Sequence, residues 1–106
     1  MAIARDVQKV FDAAVASANV EVTDARSFKR FQLEGSATGG TWTVQLESSR
    51  DEGATWVPVS GVTTLASASD SVFLTGQFDR LRVKGTRTGG TLNAWVTRSD
   101  SHPMRW

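Results

Sequence analysis

One string of residues occurs twice, and it limits the folds open to this chain. From Phe28 the sequence reads FKRFQLEGSATGGTWTVQLES, and from Phe78 it reads FDRLRVKGTRTGGTLNAWVTR. At this constant offset Phe28 matches Phe78, Arg30 matches Arg80, Gly35 matches Gly85, and Thr38-Gly39-Gly40-Thr41 matches Thr88-Gly89-Gly90-Thr91. Apolar positions correspond as well: Phe31 with Leu81, Leu33 with Val83, Trp42 with Leu92, Val44 with Ala94, Leu46 with Val96. Each copy alternates apolar and polar residues on both sides of a glycine turn. That pattern reads as an antiparallel β-hairpin. Two hairpins, at 28–48 and 78–98, can supply the two halves of one sandwich, each giving the other an apolar face.

The alternation also assigns faces. In the first copy Phe31, Leu33, Trp42, Val44 and Leu46 point inward, and Arg30, Gln32, Glu34, Thr43, Gln45 and Glu47 point to water. In the second, Leu81, Val83, Leu92, Ala94 and Val96 point inward, and Arg80, Arg82, Lys84, Asn93, Trp95 and Thr97 point out. One buried and one wet face is the mark of antiparallel sheets. Counting the shorter alternating stretches gives seven or eight strands and no helix. The expected class is all-β, an antiparallel β-sandwich or jelly-roll-like barrel. The chain has 106 residues, enough for one core and no second lobe.

The ends are less regular. In residues 1–17, Val7, Lys9 and Phe11 would share one face of a strand, while Val7, Val10, Phe11, Ala14 and Val15 would form a short helical stripe. The segment reads as an N-terminal arm or edge strand. The sandwich is expected over 18–99, opening with Ala18, Val20 and Val22 on one side of a strand and a turn at Thr23–Arg26. Residues 100–106 form a tail without periodicity. No apolar run reaches the ~20 residues of a membrane span. The opening segment lacks the apolar core of a secretory leader, so a chain starting at Met1 and not exported by a cleaved leader is expected.

Chemistry-bearing residues are sparse. Cysteine is absent, which removes disulfides, thiolate ligands and a thiol nucleophile. The one histidine, His102, lies in the polar tail and cannot build a metal cluster alone. Asp51-Glu52 is the one adjacent carboxylate pair, and it sits in a turn. The glycine pairs join strand to strand, whereas a phosphate cradle leads into a helix. No catalytic residue, metal or cofactor is expected. Arg80, Arg82, Lys84 and Arg87 make a basic stripe, but net charge is +1 and Asp79, Glu34 and Glu47 can offset it. Direct nucleic-acid binding is therefore not expected.

Two resemblances add to this. Ser49 to Trp56 spell S-x-D-x-G-x-T-W, which resembles the Asp-box, a structural hairpin element of many β-proteins. The resemblance implies that Asp51 accepts backbone hydrogen bonds, that Gly53 takes a positive φ, that Thr55 completes the turn and that Trp56 packs under it. No sialidase is implied, since the chain has no tyrosine to serve as that family's nucleophile. More broadly, Val44, Glu47, Ser49, Asp51, Gly53, Thr55, Trp56 and Val57, with Leu81, Arg82, Val83, Gly90, Thr91, Leu92 and Val96, resemble the small β-sandwich structural proteins of tailed-bacteriophage virions. That likeness runs over about residues 18–98. It implies a virion protein assembled in the host bacterial cytoplasm. The leading expectation is a capsid decoration (cement) protein that binds the major capsid protein. The alternatives are a head-completion, tail or fibre component, and a carbohydrate-binding module. Phe11, Trp95, Met104, Arg105 and Trp106 stand out as interface candidates, because aromatic residues, Met and Arg concentrate interface energy. Docking of one or both arms on a neighbouring subunit, in a homo-oligomer or on the shell, is the expected mode.

Overall fold

The computed structural model describes residues 5–99. Its strands are β1 (Arg5–Ala14), β2 (Ala18–Glu21), β3 (Arg30–Thr38), β4 (Trp42–Ser49), β5 (Val57–Pro58), β6 (Thr63–Leu65), β7 (Asp70–Thr75), β8 (Arg80–Arg87) and β9 (Thr91–Ser99), with one 3-10 turn at Ala25–Ser27. Two antiparallel sheets face each other. The first has the order β1-β9-β3-β7; the second has β2-β8-β4-β5, with β6 also pairing β4. The protein is an all-β sandwich.

The repeats are not hairpins. β3 and β4 lie in different sheets, and so do β8 and β9. Each TGGT turn is a crossover that carries the chain over the end of the sandwich. A hairpin and a crossover put the same demand on sequence, since in both the alternate residues of the two strands must reach one core. The alternation therefore fixes faces and leaves partners open. The partners come from the other repeat: β3 pairs β9, and β4 pairs β8. The register repeats too. Gly35 faces Ala94 and Leu33 faces Val96 in one sheet; Gly85 faces Val44 and Val83 faces Leu46 in the other. A pseudo-twofold thus exchanges the two sheets and relates 28–48 to 78–98.

Glycine allows the close approaches this requires. A Cβ on Gly40 would stand 2.2 Å from the Gly89 carbonyl carbon, so the two crossovers touch backbone to backbone. A Cβ on Gly85 would stand 2.6 Å from the Phe11 ring. The Thr88 and Gly89 amides both donate to the Thr41 carbonyl at 3.0 Å, which ties one crossover to the other.

The core holds Phe31, Leu33, Trp42, Val44, Leu46, Leu81, Val83, Leu92, Ala94 and Val96, all buried. Each large apolar side chain removed from water contributes ~1.5–3 kcal/mol. Val22, Ala25, Ala37 and Leu65 join them. The N-terminal segment does not stand apart as an arm from residue 5 onward. β1 is the edge strand beside β9, with register shifts on both sides of Phe11. These shifts break the two-residue period and let the adjacent Val10 and Phe11 both turn inward. Phe11 is 3% exposed, and its ring centroid lies 5.7 Å from that of Trp42. Gln8 spans the open edge between the sheets: its amide donates to the Glu21 carbonyl at 3.1 Å and accepts from the Thr23 amide at 2.8 Å.

Candidate interaction surfaces

The outer face of the second sheet is covered by its own side chains. The strand register sets Glu47 against Arg82 and Ser49 against Arg80. Arg82 Nε donates to Glu47 Oε1 at 2.8 Å, and the carboxylate is buried. Trp56 covers the pair, with its ring centroid 4.4 Å from the Arg82 guanidinium carbon and 5.8 Å from that of Arg80. Arg80 Nε donates to Glu21 Oε2 at 3.0 Å, and the same guanidinium bonds the Glu52 carbonyl. The Glu21 carboxylate accordingly raises the Arg80 pKa above its ordinary value. Three of the four cations in the basic stripe are thus engaged, since Arg87 Nε donates to the Gly90 carbonyl at 2.9 Å.

The loop after β4 holds Trp56 in that place. Ser49 Oγ donates to Asp51 Oδ1 at 2.8 Å and accepts from the Gly53 amide at 2.8 Å. Asp51 Oδ1 accepts from the Thr55 amide at 2.8 Å. Gly53 has φ +92°, which suits a residue without Cβ. Trp56 Nε1 closes the loop by donating to the Gly53 carbonyl at 3.0 Å. The Thr55 amide is the main cause, and the Ser49 hydroxyl the next, that holds the Asp51 carboxyl below its ordinary pKa. Trp56 is half-buried on the outer face and is not a core residue, because the loop folds over the sheet and not beneath it.

The outer face of the first sheet is different. Cross-strand rows place Val7, Thr97, Gln32 and Phe73 in one line, and Lys9, Trp95, Glu34 and Ser71 in the next. Phe73 is 72% exposed, Val7 54% and Trp95 38%. The Lys9 ammonium stands 5.1 Å from the Trp95 ring centroid and covers part of that ring. Beside Phe73 a groove of about 320 Å³ opens among Arg30, Gln32, Thr97 and Ser99. At one end of the core, Arg98 points inward in step with Val96 and is 4% exposed. It pairs with Asp6 at 2.6 Å, bonds the Thr23 carbonyl and lies 5.1 Å from the Phe28 ring centroid.

Of the interface candidates, Trp95 is exposed on the first sheet. Phe11 is corrected: it is a core residue, buried against Trp42 and Gly85, and has no surface to offer. Met104, Arg105 and Trp106 lie outside the described residues, as does His102. The sequence reading missed Phe73, Val7 and Arg98 as features. Parity would have found Phe73, since Val72 and Leu74 flank it, and Arg98, since Leu92, Ala94 and Val96 precede it at intervals of two. Among the described residues no three His, Cys, Asp or Glu side chains gather as a metal site, and no helix is long and apolar enough to cross a membrane.

No known protein family and no curated protein matches the sequence. Solved structures do match in fold. The SPBc2 prophage-derived protein YomS superposes with a TM-score of 0.70 at 10% identity, over 94% of this chain and 96% of that one. A chain of the Bacillus endospore appendages, which form disulfide-linked pili, gives 0.59 at 18% identity, over 92% and 88%. The PBSX exported protein XepA gives 0.58 at 14% identity, over 95% of this chain and 39% of that one. At these identities the likeness is one of fold.

Proposed function

We propose that this protein is a non-enzymatic structural protein of a bacteriophage particle, and within that class a capsid decoration protein that binds the major capsid protein. The observation that carries the reading is the shared fold with a prophage-derived protein along nearly the whole of both chains. XepA, with a fold of the same kind, points the same way. The molecule's surfaces fit a passive role: the charged face is engaged internally, and the other face offers aromatic and apolar contact area around Trp95, Phe73 and Val7. Interfaces concentrate their energy in such residues. In this reading Trp95 meets a virion protein or another copy of the chain, and the protein resides in the virion. The Ser49–Trp56 loop serves as a structural turn. The disulfide linkage of the pilus chain cannot carry over, because this sequence has no cysteine.

A carbohydrate-binding role gains less support, since Lys9 already lies over the Trp95 ring. The deciding experiment is quantitative gel densitometry of purified particles. A decoration protein is present in a fixed, large ratio to the shell protein and leaves with the shell on gentle disassembly. A few copies per particle would move the assignment to a head-completion or tail part. Absence from particles would end the virion reading.

A further inference from the structure

Each sheet has two edges, and all but one of these edges are guarded. β1 carries the exposed Lys9 and register shifts on both sides of Phe11. β2 has four residues. Beyond β4 lie only β5 and β6, of two and three residues, and β5 contains Pro58. Short length, lysine, bulges and proline all discourage the joining of another strand. β7 has none of these. It runs six residues, Asp70–Thr75, in unbroken register with β3, and its other side pairs with no strand among the described residues.

The direction of its free backbone groups follows from three bonds. The Gly76 amide donates to the Lys29 carbonyl at 2.9 Å, and the Ala37 amide donates to the Ala66 carbonyl at 2.7 Å. Odd positions of β3 thus turn toward the β7 side, and even positions of β7 answer them. The Ser71 amide is held by Asp70 Oδ1 at 2.8 Å and not by β3. Backbone groups alternate in direction along a paired strand, so Ser71, Phe73 and Thr75 present theirs to the open edge. The burial agrees: Val72 and Leu74 pack on the core yet are only half-buried, and Phe73 is 72% exposed.

We propose that β7 pairs antiparallel with β7 of a second copy, on a twofold axis at Phe73, and so joins the four-stranded sheets of two molecules into one. In this register every outward residue has a partner. Phe73 meets Phe73 of the second copy, and Ser71 meets Thr75. The two phenyl rings then lie side by side on one face, a pairing that stabilises sheets. Charge selects the antiparallel sense. The exposed Glu34 and Asp70 stand at one end of the β3–β7 pair, and the exposed Lys29 and Arg30 at the other. Antiparallel pairing sets the acidic end of one copy beside the basic end of the second, whereas parallel pairing sets like against like. The pairing is a property of the isolated chain and does not rest on the particle reading.

The test is sedimentation equilibrium joined to amide hydrogen exchange by NMR, at high and low concentration of the full chain. The expected result is a dimer at high concentration in which the Phe73 and Thr75 amides exchange slowly. On dilution to monomer those two should speed up, while Val72 and Leu74 stay as protected as before. Phe73→Pro removes a donor that β3 does not use, and Phe73→Lys puts a charge at an exposed position. Both are expected to abolish the dimer and to keep the melting temperature of the dilute protein. If Phe73→Pro fails to fold, Phe73→Lys decides alone. A chain that sediments as a monomer at NMR concentrations overturns the proposal. So does a dimer that survives Phe73→Lys, and so does slow exchange at Phe73 that dilution leaves unchanged.

Discussion

On one broad face of the sandwich Arg82 bonds Glu47 beneath the ring of Trp56; at the matching places on the other face stand Gln32 and Thr97, beside an open groove. Backbone register is the same in both sheets. The inward residues are similar, because both sheets close on one core. The outward residues are under no such demand, and they diverge. One face has ion pairs sealed beside Trp56, and the other sets Val7, Phe73 and Trp95 among polar side chains. A nearly symmetric scaffold thereby carries two outer faces of different character.

Substitution can break this contrast, and the largest effect should come from the sealed face. Arg82→Ala leaves the buried Glu47 carboxylate without its partner and should cost about 3 kcal/mol, whereas Gln32→Ala at the matching site should stay within about 0.5 kcal/mol. Replacing both partners by the other face's residues, Glu47→Thr with Arg82→Gln, should be less harmful than Arg82→Ala alone, because no charge is stranded. Urea unfolding midpoints decide it, and a double variant worse than the single would contradict the account.

The equivalent glycines come next. A Cβ on Gly35 would meet the Asn93 carbonyl oxygen at 2.7 Å and the Ala94 Cβ at 2.8 Å, neither of which can move aside cheaply. A Cβ on Gly85 would meet the end of the Phe11 side chain. Both changes to Ala should destabilise, by ~1–3 kcal/mol, with Gly35→Ala the worse. Adding Phe11→Leu should partly rescue Gly85→Ala and leave Gly35→Ala unaided. Thermal melts of the four variants make the comparison.

Trp56→Ala should cost about 2 kcal/mol, since a half-buried ring gives up less than a core aromatic. Trp95→Ala should cost under about 1 kcal/mol and show its effect on particle binding. Equal losses of stability from the two would mean the faces are not distinct.

The smallest expected effect is one of pH. Hydrogen bonds from the Thr55 amide and the Ser49 hydroxyl hold Asp51 below its ordinary value near 3.8. Its stabilising contribution is therefore full above that value and is lost as pH falls through the lower folded value. Asp51→Asn should flatten the fall of melting temperature between about pH 4 and pH 2.

Much of this architecture was legible before any coordinates. Inward and outward positions of β3, β4, β8 and β9 follow from a two-residue period, and Trp42 and Leu92 are core for that reason. Strand partners were not legible, because Ala37 and Trp42 reach the same core whether the chain between them doubles back within a sheet or crosses to the facing one. Phe11 was misplaced because an aromatic residue in a segment without a hairpin partner of its own reads as an interface residue, whereas the register shifts on both sides of it turn it into the core. Trp56 was legible as a ring that packs against its own turn, but size and apolarity do not say on which side of a sheet such a ring lies. The open groove depends on what Gln32 and Thr97 are not, namely charged, and only its neighbours in space give that meaning.

The crossovers have a consequence for how the molecule comes into being. Neither half of the chain can finish a sheet alone: Leu33 must wait for Val96, and Leu46 for Val83. Such distant pairings make for slow folding, on the order of milliseconds to seconds. A growing chain on the ribosome therefore carries its first half unsatisfied until β8 and β9 have been added. The same interlacing makes the finished molecule tolerant of a cut. A protease that nicked the exposed stretch at Ser67–Ser69 would leave two pieces woven through both sheets, still held as one body by everything except the peptide bond.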